Sequence, residues 1–284
     1  MKTGILRSAR WREWIGNGLA HGVLLIGAVT MLLPLFWMVA TAFKTAEETF
    51  IFPPTFWPQR VILNNLVQAW TAAPFGRYFF NSALVSGSVT VSQVFFCSLA
   101  GFVFAKFRFR GQGLLFTLVL AKLMIPAQVL VIPLYLLMIR AGLSDSLPAV
   151  ILPDLMGAFG IFMLRQFILS IPNDLLDSGR IDGCTNFGIY WRIVLPLVKP
   201  ALATFAIIAF INSWNDFLWP LIVIRSPEKR TLQLGLTVFH EQWVNSYNLS
   251  MAAALIALLP VVLFFAVFQR RIIEGIATSG LREG

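Results

Sequence analysis

Six stretches of this chain run apolar for about twenty residues or longer: 19–43, 78–104, 113–139, 147–169, 201–224 and 249–269. A helix needs about 20 such residues to cross the hydrocarbon core of a bilayer. Composition agrees: 58% of residues are hydrophobic and 12% charged, against about 45–50% and about 25% in soluble domains. The 26 Phe and 9 Trp suit lipid-facing and interfacial positions. The expected fold is all-α, a polytopic membrane protein with six transmembrane helices. Residues 1–18 form an N-terminal segment, 19–270 the six-helix domain and 271–284 a tail.

Pro126 and Pro133 lie in the third stretch. Inside a bundle such prolines are expected to kink a helix without ending it. Pro153, Gly157 and Gly160 in the fourth allow bending and close packing. The first stretch starts basic and contains Ala40-Thr41-Ala42, as a cleaved signal would. It is longer than the usual apolar core of about 7–15 residues, so it reads as a retained span.

Orientation follows from Lys and Arg. With the N-terminus inside, the inner segments hold twice as many of them as the outer ones. Arg7, Arg10, Arg12, Lys106, Arg108 and Arg110 are among the inner set. Both termini are therefore expected in the cytoplasm. The net charge of +9 reads as a topology signal and not as a nucleic-acid footprint. Residues 44–77, with PPTFWP, read as an ordered extracytoplasmic loop. Residues 225–248 suit either a partly buried re-entrant loop or a plain surface connection. Cys97 and Cys184 fall at different depths in this topology and read as free thiols.

Between the fourth and fifth stretches the chain turns polar: DSGRIDGCTNFGIYWRIVLPLVKP at 177–200. Pro172 is tolerated in a first helical turn. Asn173, Asp174 and Asp177 favour the positive end of the helix dipole. Gly183 is placed to end that helix. A second helix follows, on which Phe187, Trp191, Val194 or Leu195, and Val198 are expected to share one face. Pro196 and Pro200 then redirect the chain. Ser178 and Gly179 are small enough for another backbone to approach. Spacing alone allows an amphipathic helix on the membrane surface or a docking knob for a cytoplasmic partner.

This stretch resembles the EAA loop of ATP-binding-cassette importer permeases. That pattern is Glu-Ala-Ala, then a Gly, then Ile-x-Leu-Pro. Here it reads Asp177-Ser178-Gly179, Asp182-Gly183 and Ile193-Val194-Leu195-Pro196, with Pro200 beyond. Asp replaces Glu, and Ser and Gly replace the alanines. Residues 123–138, 159–176, 212–223 and 268–284 are similar to further segments of the carbohydrate-type permeases, those of the maltose-transporter G-type inner-membrane subunits and their relatives for other sugars and glycerol phosphates.

The resemblance implies that the loop at about 170–200, between the fourth and fifth helices, docks into an ATPase subunit and carries its motion to the membrane. It implies a heterodimer with a second permease subunit, two ATPase subunits and an extracytoplasmic solute-binding protein, in a bacterial-type inner membrane. The chain has no G-x-x-x-x-G-K-[ST] phosphate loop. ATP and Mg²⁺ are thus expected on the partner ATPase, with no cofactor on this chain.

Lys122, Asp154, Asn215 and Asp216 fall within or near apolar stretches. Ionisable groups there usually face a bundle interior or a watery cavity. Trp214, Asn215, Asp216 and Trp219 together offer hydrogen-bonding groups beside aromatic faces, as a sugar path would; packing against a partner subunit is the other reading. Lys122 pairs with Asp154 or Asp216, or reaches a cavity. His240 reads as a loop residue. An intramembrane protease is disfavoured, because neither aspartate stands in a Gly-x-Gly-Asp motif. The nearer alternatives are a secondary transporter and an importer permease for a non-sugar solute.

Overall fold

The computed structural model describes the backbone of residues 3–242 and 246–280. Among them every regular element is helical. The chain divides into two compact units, residues 1–72 with 238–256, and 73–237 with 257–284.

The first unit contains α1 (Thr3–Ala42) and α2 (Asn64–Thr71). Leu24 and Met31 on α1 are exposed; a helix this apolar with an uncovered surface suits lipid. The connection after it is ordered by buried polar groups. Lys44 Nζ donates to the Thr55 carbonyl and lies 4.5 Å from the Trp37 ring centroid. Glu48 accepts from Thr55 Oγ1 at 3.0 Å and from the Gln59 amide at 2.9 Å. Asn65 Nδ2 donates to the carbonyls of Ala42 and Lys44 at 2.9 and 2.8 Å. Lys44, Glu48 and Asn65, all buried, thereby keep partners.

The second unit is built around α3 (Phe75–Lys106), a helix of 32 residues. It continues with α4 (Gln112–Met124), α5 (Ala127–Arg140), α6 (Leu147–Ile151), α7 (Ala158–Leu169), α8 (Asn173–Ile181), α9 (Asn186–Ile189), α10 (Leu195–Leu197), α11 (Lys199–Trp214), α12 (Leu218–Val223) and α13 (Leu232–Gly235). Two further α-helices among the described residues are α14 (Thr237–Gln242) and α15 (Tyr247–Gly280). Helix α3 packs against α7 and α11. A Cβ on Gly160 would stand 2.1 Å from Phe205 Cζ and 2.9 Å from Cys97 Sγ. The absent side chain is what brings these three helices together.

Two helical segments, Gly16–Ala42 and Phe75–Lys106, are long and apolar enough to cross a membrane. Three bent pairs raise the number of candidate spans to five. The fold is thus all-α and of the multi-pass membrane type. The sixth apolar stretch falls within α15, whose segment Tyr247–Leu263 is a shorter apolar helix. Of the expected C-terminal tail, residues 281–284 lie outside the described residues, as do the side chains of 271–280. The His240 side chain lies outside them as well.

Two expected spans are corrected. Pro126 does not kink a continuous helix: α4 stops at Met124, α5 starts at Ala127, and the two meet at 106°. Proline lacks an amide donor and disfavours helical backbone in the residue before it, and Ile125 is extended (φ −87°, ψ 119°). Pro133 does lie inside α5. The fifth stretch is likewise interrupted, ending α11 at Trp214 and restarting as α12 at Leu218. Asp216 Oδ1 there accepts from the Trp219 amide at 3.5 Å, an N-terminal anchor for the new helix.

Candidate functional site

The polar stretch folds as two short helices joined at a glycine. Lys106 Nζ at the end of α3 ties down its entrance, donating to the Ile171 carbonyl at 2.6 Å and to Asn173 Oδ1 at 3.0 Å. Helix α8 ends in paired bonds, Gly183 N to Arg180 O at 3.0 Å and Cys184 N to Gly179 O at 2.9 Å. That pairing requires a left-handed residue at the turn, and Gly183 has φ +82°. Thr185 then caps the second helix, its hydroxyl accepting from the Gly188 amide at 3.1 Å.

This second helix does not keep one register. A π-helical segment, Tyr190–Val194, lies between α9 and α10. The face expected to hold Phe187, Trp191, Val194 or Leu195, and Val198 is consequently split. Val194 and Val198 turn inward with Ile189 and Tyr190, against Phe102, Ile168 and Leu176. Tyr190 Oη lies 2.7 Å from Ser98 Oγ of α3. Phe187 and Trp191 remain 57% and 56% exposed, stacked with ring centroids 6.3 Å apart.

Gly179 is corrected too. A Cβ there would meet Ile193 Cδ1 at 2.6 Å, so its small size serves the closure of the loop's own two helices. Asp177, Ser178, Asp182, Gly183 and Pro196 are exposed, and Leu195 is half-buried. Asp177 holds Arg180 in an exposed ion pair at 2.5 Å, worth at most about 1 kcal/mol.

The second candidate is a cavity of about 470 Å³ within the second unit. Gln93 of α3, Lys122 of α4, Asp154 of the short 3-10 turn before α7, Phe159 of α7, Asn212 of α11 and Asp216 all line it. Gln93 Nε2 donates to the Asp154 carbonyl at 2.8 Å. Among the described residues no ion pair joins Lys122 to either aspartate. The four residues singled out at the fifth stretch part company. Asp216 lines the cavity. Asn215 is exposed and accepts from Gln233 Nε2 at 3.1 Å. Trp214 is 2% exposed and packs against Phe79 and Phe210. Trp219 is buried, donating from Nε1 to the Ala149 carbonyl at 3.0 Å.

Sequence reasoning missed a polar hub outside the spans. Asp145 has φ +54° and gathers residues 225–229. Oδ1 accepts from the Arg225 and Ser226 amides, both at 2.9 Å. Oδ2 accepts from Ser226 Oγ and, at 3.2 Å, from Lys229 Nζ. Burial alone would raise this carboxyl's pKa, but the bonds from Ser226, Arg225 and Lys229 outweigh it and hold it below the usual carboxylate range. The one cue in the sequence is an Asp in the turn-prone GLSDS.

The profile of the family described as "Binding-protein-dependent transport system inner membrane component" matches residues 97–277. The chain belongs to that family. Its members are transport components and not enzymes, and the chain is a multi-pass inner-membrane permease component of an ATP-binding-cassette importer, which sets aside the secondary transporter. The arabinooligosaccharide transport permease of Halalkalibacterium halodurans is 37% identical, covering 90% of this chain and 92% of that one. The sn-glycerol-3-phosphate transport permease of Escherichia coli is 30% identical over 94% of this chain and 98% of its own. The fold is similar to a chain in the crystal structure of a bacterial transporter involved in import of the acidic polysaccharide alginate. The TM-score is 0.79 at 23% identity, covering 89% of this chain and 95% of that one.

Proposed function

We propose that this chain forms part of the translocation path for a carbohydrate, and that the loop at about 170–200 couples it to a separate ATPase. The observation carrying the coupling role is the exposed Phe187–Trp191 stack on a glycine-jointed pair of helices. Large apolar surface facing the cytoplasm calls for a covering partner. The loop's inner face is rooted in the core on Val194 and Val198, so a push on the outer face moves α3 and α7 with it. The carbohydrate reading is supported by the relative for arabinooligosaccharides; the glycerol-phosphate relative keeps a phosphorylated polyol as the second reading.

In this reading both termini are cytoplasmic and α15 supplies a sixth span. A second permease subunit completes the path, two ATPase subunits hold ATP and Mg²⁺, and an extracytoplasmic binding protein delivers the solute. Asp216, on the cavity wall, belongs to the path, while Trp214 and Trp219 support the segment that carries it. The test is uptake in vesicles by the purified complex with its binding protein. Uptake of the carbohydrate requires ATP; uptake that survives without ATP sinks the coupling role.

A further inference from the structure

The cavity wall carries two carboxylates, Asp154 and Asp216, against one ammonium, Lys122. They come from three separate segments, and no ion pair joins them among the described residues; Asp216 Oδ1 also accepts from the Trp219 amide at 3.5 Å. Gln93 and Asn212 add amide donors and acceptors, and Phe159 an aromatic wall. A concave site with a few convergent polar groups and an aromatic face is the usual form of a small-molecule site. Carboxylates accept from sugar hydroxyls, and the aromatic face suits the apolar side of a sugar ring.

We infer that this cavity is a solute-contact site whose excess negative charge admits uncharged polyhydroxylated solutes and turns away those bearing phosphate or carboxylate. The inference rests on the proposed path through Asp216 and extends it to Lys122 and Asp154. A polar cleft with low-dielectric walls focuses the field of the charges lining it. A single unpaired carboxylate therefore discriminates strongly against an anion held a few ångströms away.

The test uses thiol labelling of the purified complex, which needs no transported solute. Ser213, also on the cavity wall, is replaced in S213C, with C184S removing the half-buried native thiol; Cys97 is buried. A methanethiosulfonate carrying trimethylammonium is compared with one carrying sulfonate, each scaled to its rate with a free thiol in solution. The cationic reagent reacts about tenfold faster or more. Replacing one carboxylate, in D216N, brings the ratio near one; D154N with D216N leaves only the Lys122 ammonium and turns the ratio below one, and K122Q raises it. Misfolding would not move the ratio in opposite directions. An anionic reagent that reacts as fast, or a thiol that neither reagent reaches, overturns the inference. Neither result touches the carbohydrate reading, which stands or falls on ATP-driven uptake.

Discussion

Gly183 sits at φ +82° with open space where a Cβ would go. A side chain there meets no neighbour in the chain and costs only the backbone term, about 1 kcal/mol or more. Gly183→Asp should therefore leave an inserted protein whose added side chain projects from the exposed joint into the docking surface, and the complex should hold its ATPase weakly. Purified variant complex retaining ATPase and uptake at the level of the parent removes Gly183 from the coupling role. Asp145 acts on the opposite kind of contact, four donors on one carboxylate. Asp145→Ala should cost about 1.5–3 kcal/mol locally, read as faster hydrogen exchange at the Arg225 and Ser226 amides. Its pKa is depressed in the fold. The stabilisation it supplies is therefore fully present above about pH 4, the ordinary Asp value, and is lost as pH falls through the lowered folded value. Exchange at these amides should be independent of the state of this carboxyl between about pH 5 and 8; protection lost on acidification within that window contradicts the assignment.

Helix packing in the second unit turns on Gly160. A side chain there would collide with Phe205, so Gly160→Leu should destabilise the α3–α7–α11 cluster by about 1–3 kcal/mol. The thermal midpoint of the purified protein should fall, and Phe205→Ala in the same chain should recover part of the loss. An unchanged midpoint for the single variant would mean that α7 and α11 can separate at little cost. Element boundaries were only partly legible. The joint at Gly183 follows from one residue's chemistry and is where sequence reasoning put it. The split of Phe187 and Trp191 from Val194 and Val198 is not, because a π-helical segment shifts the register and no 3.6-residue pattern announces it. Pro126 marked the place of a break but not its 106° angle, which neighbouring helices set.

At the scale of the molecule the chain is an importer permease component, and the ATPase is proposed to be a separate subunit. Hydrolysis by the assembled complex should therefore survive damage to this subunit's loop while its coupling to transport fails. Phe187→Ala with Trp191→Ala should lower stimulation of the ATPase by loaded binding protein and reduce uptake at least about tenfold, the scale of losing a buried aromatic anchor. Stimulation equal to that of the parent would show that the exposed pair is not the covered surface.

Hydrophobic runs, the glycine joint and the spaced loop motif are properties of neighbouring residues, so the membrane class, the helix end at Gly183 and the family resemblance could be read along the chain. The meeting of Lys122, Asp154 and Asp216 in one cavity, and the 81-residue reach from Asp145 to Ser226, could not. Local propensity and periodicity describe which way a segment faces its own surroundings. Which remote groups then share a space depends on bend angles and close approaches, and those arise only when the helices pack.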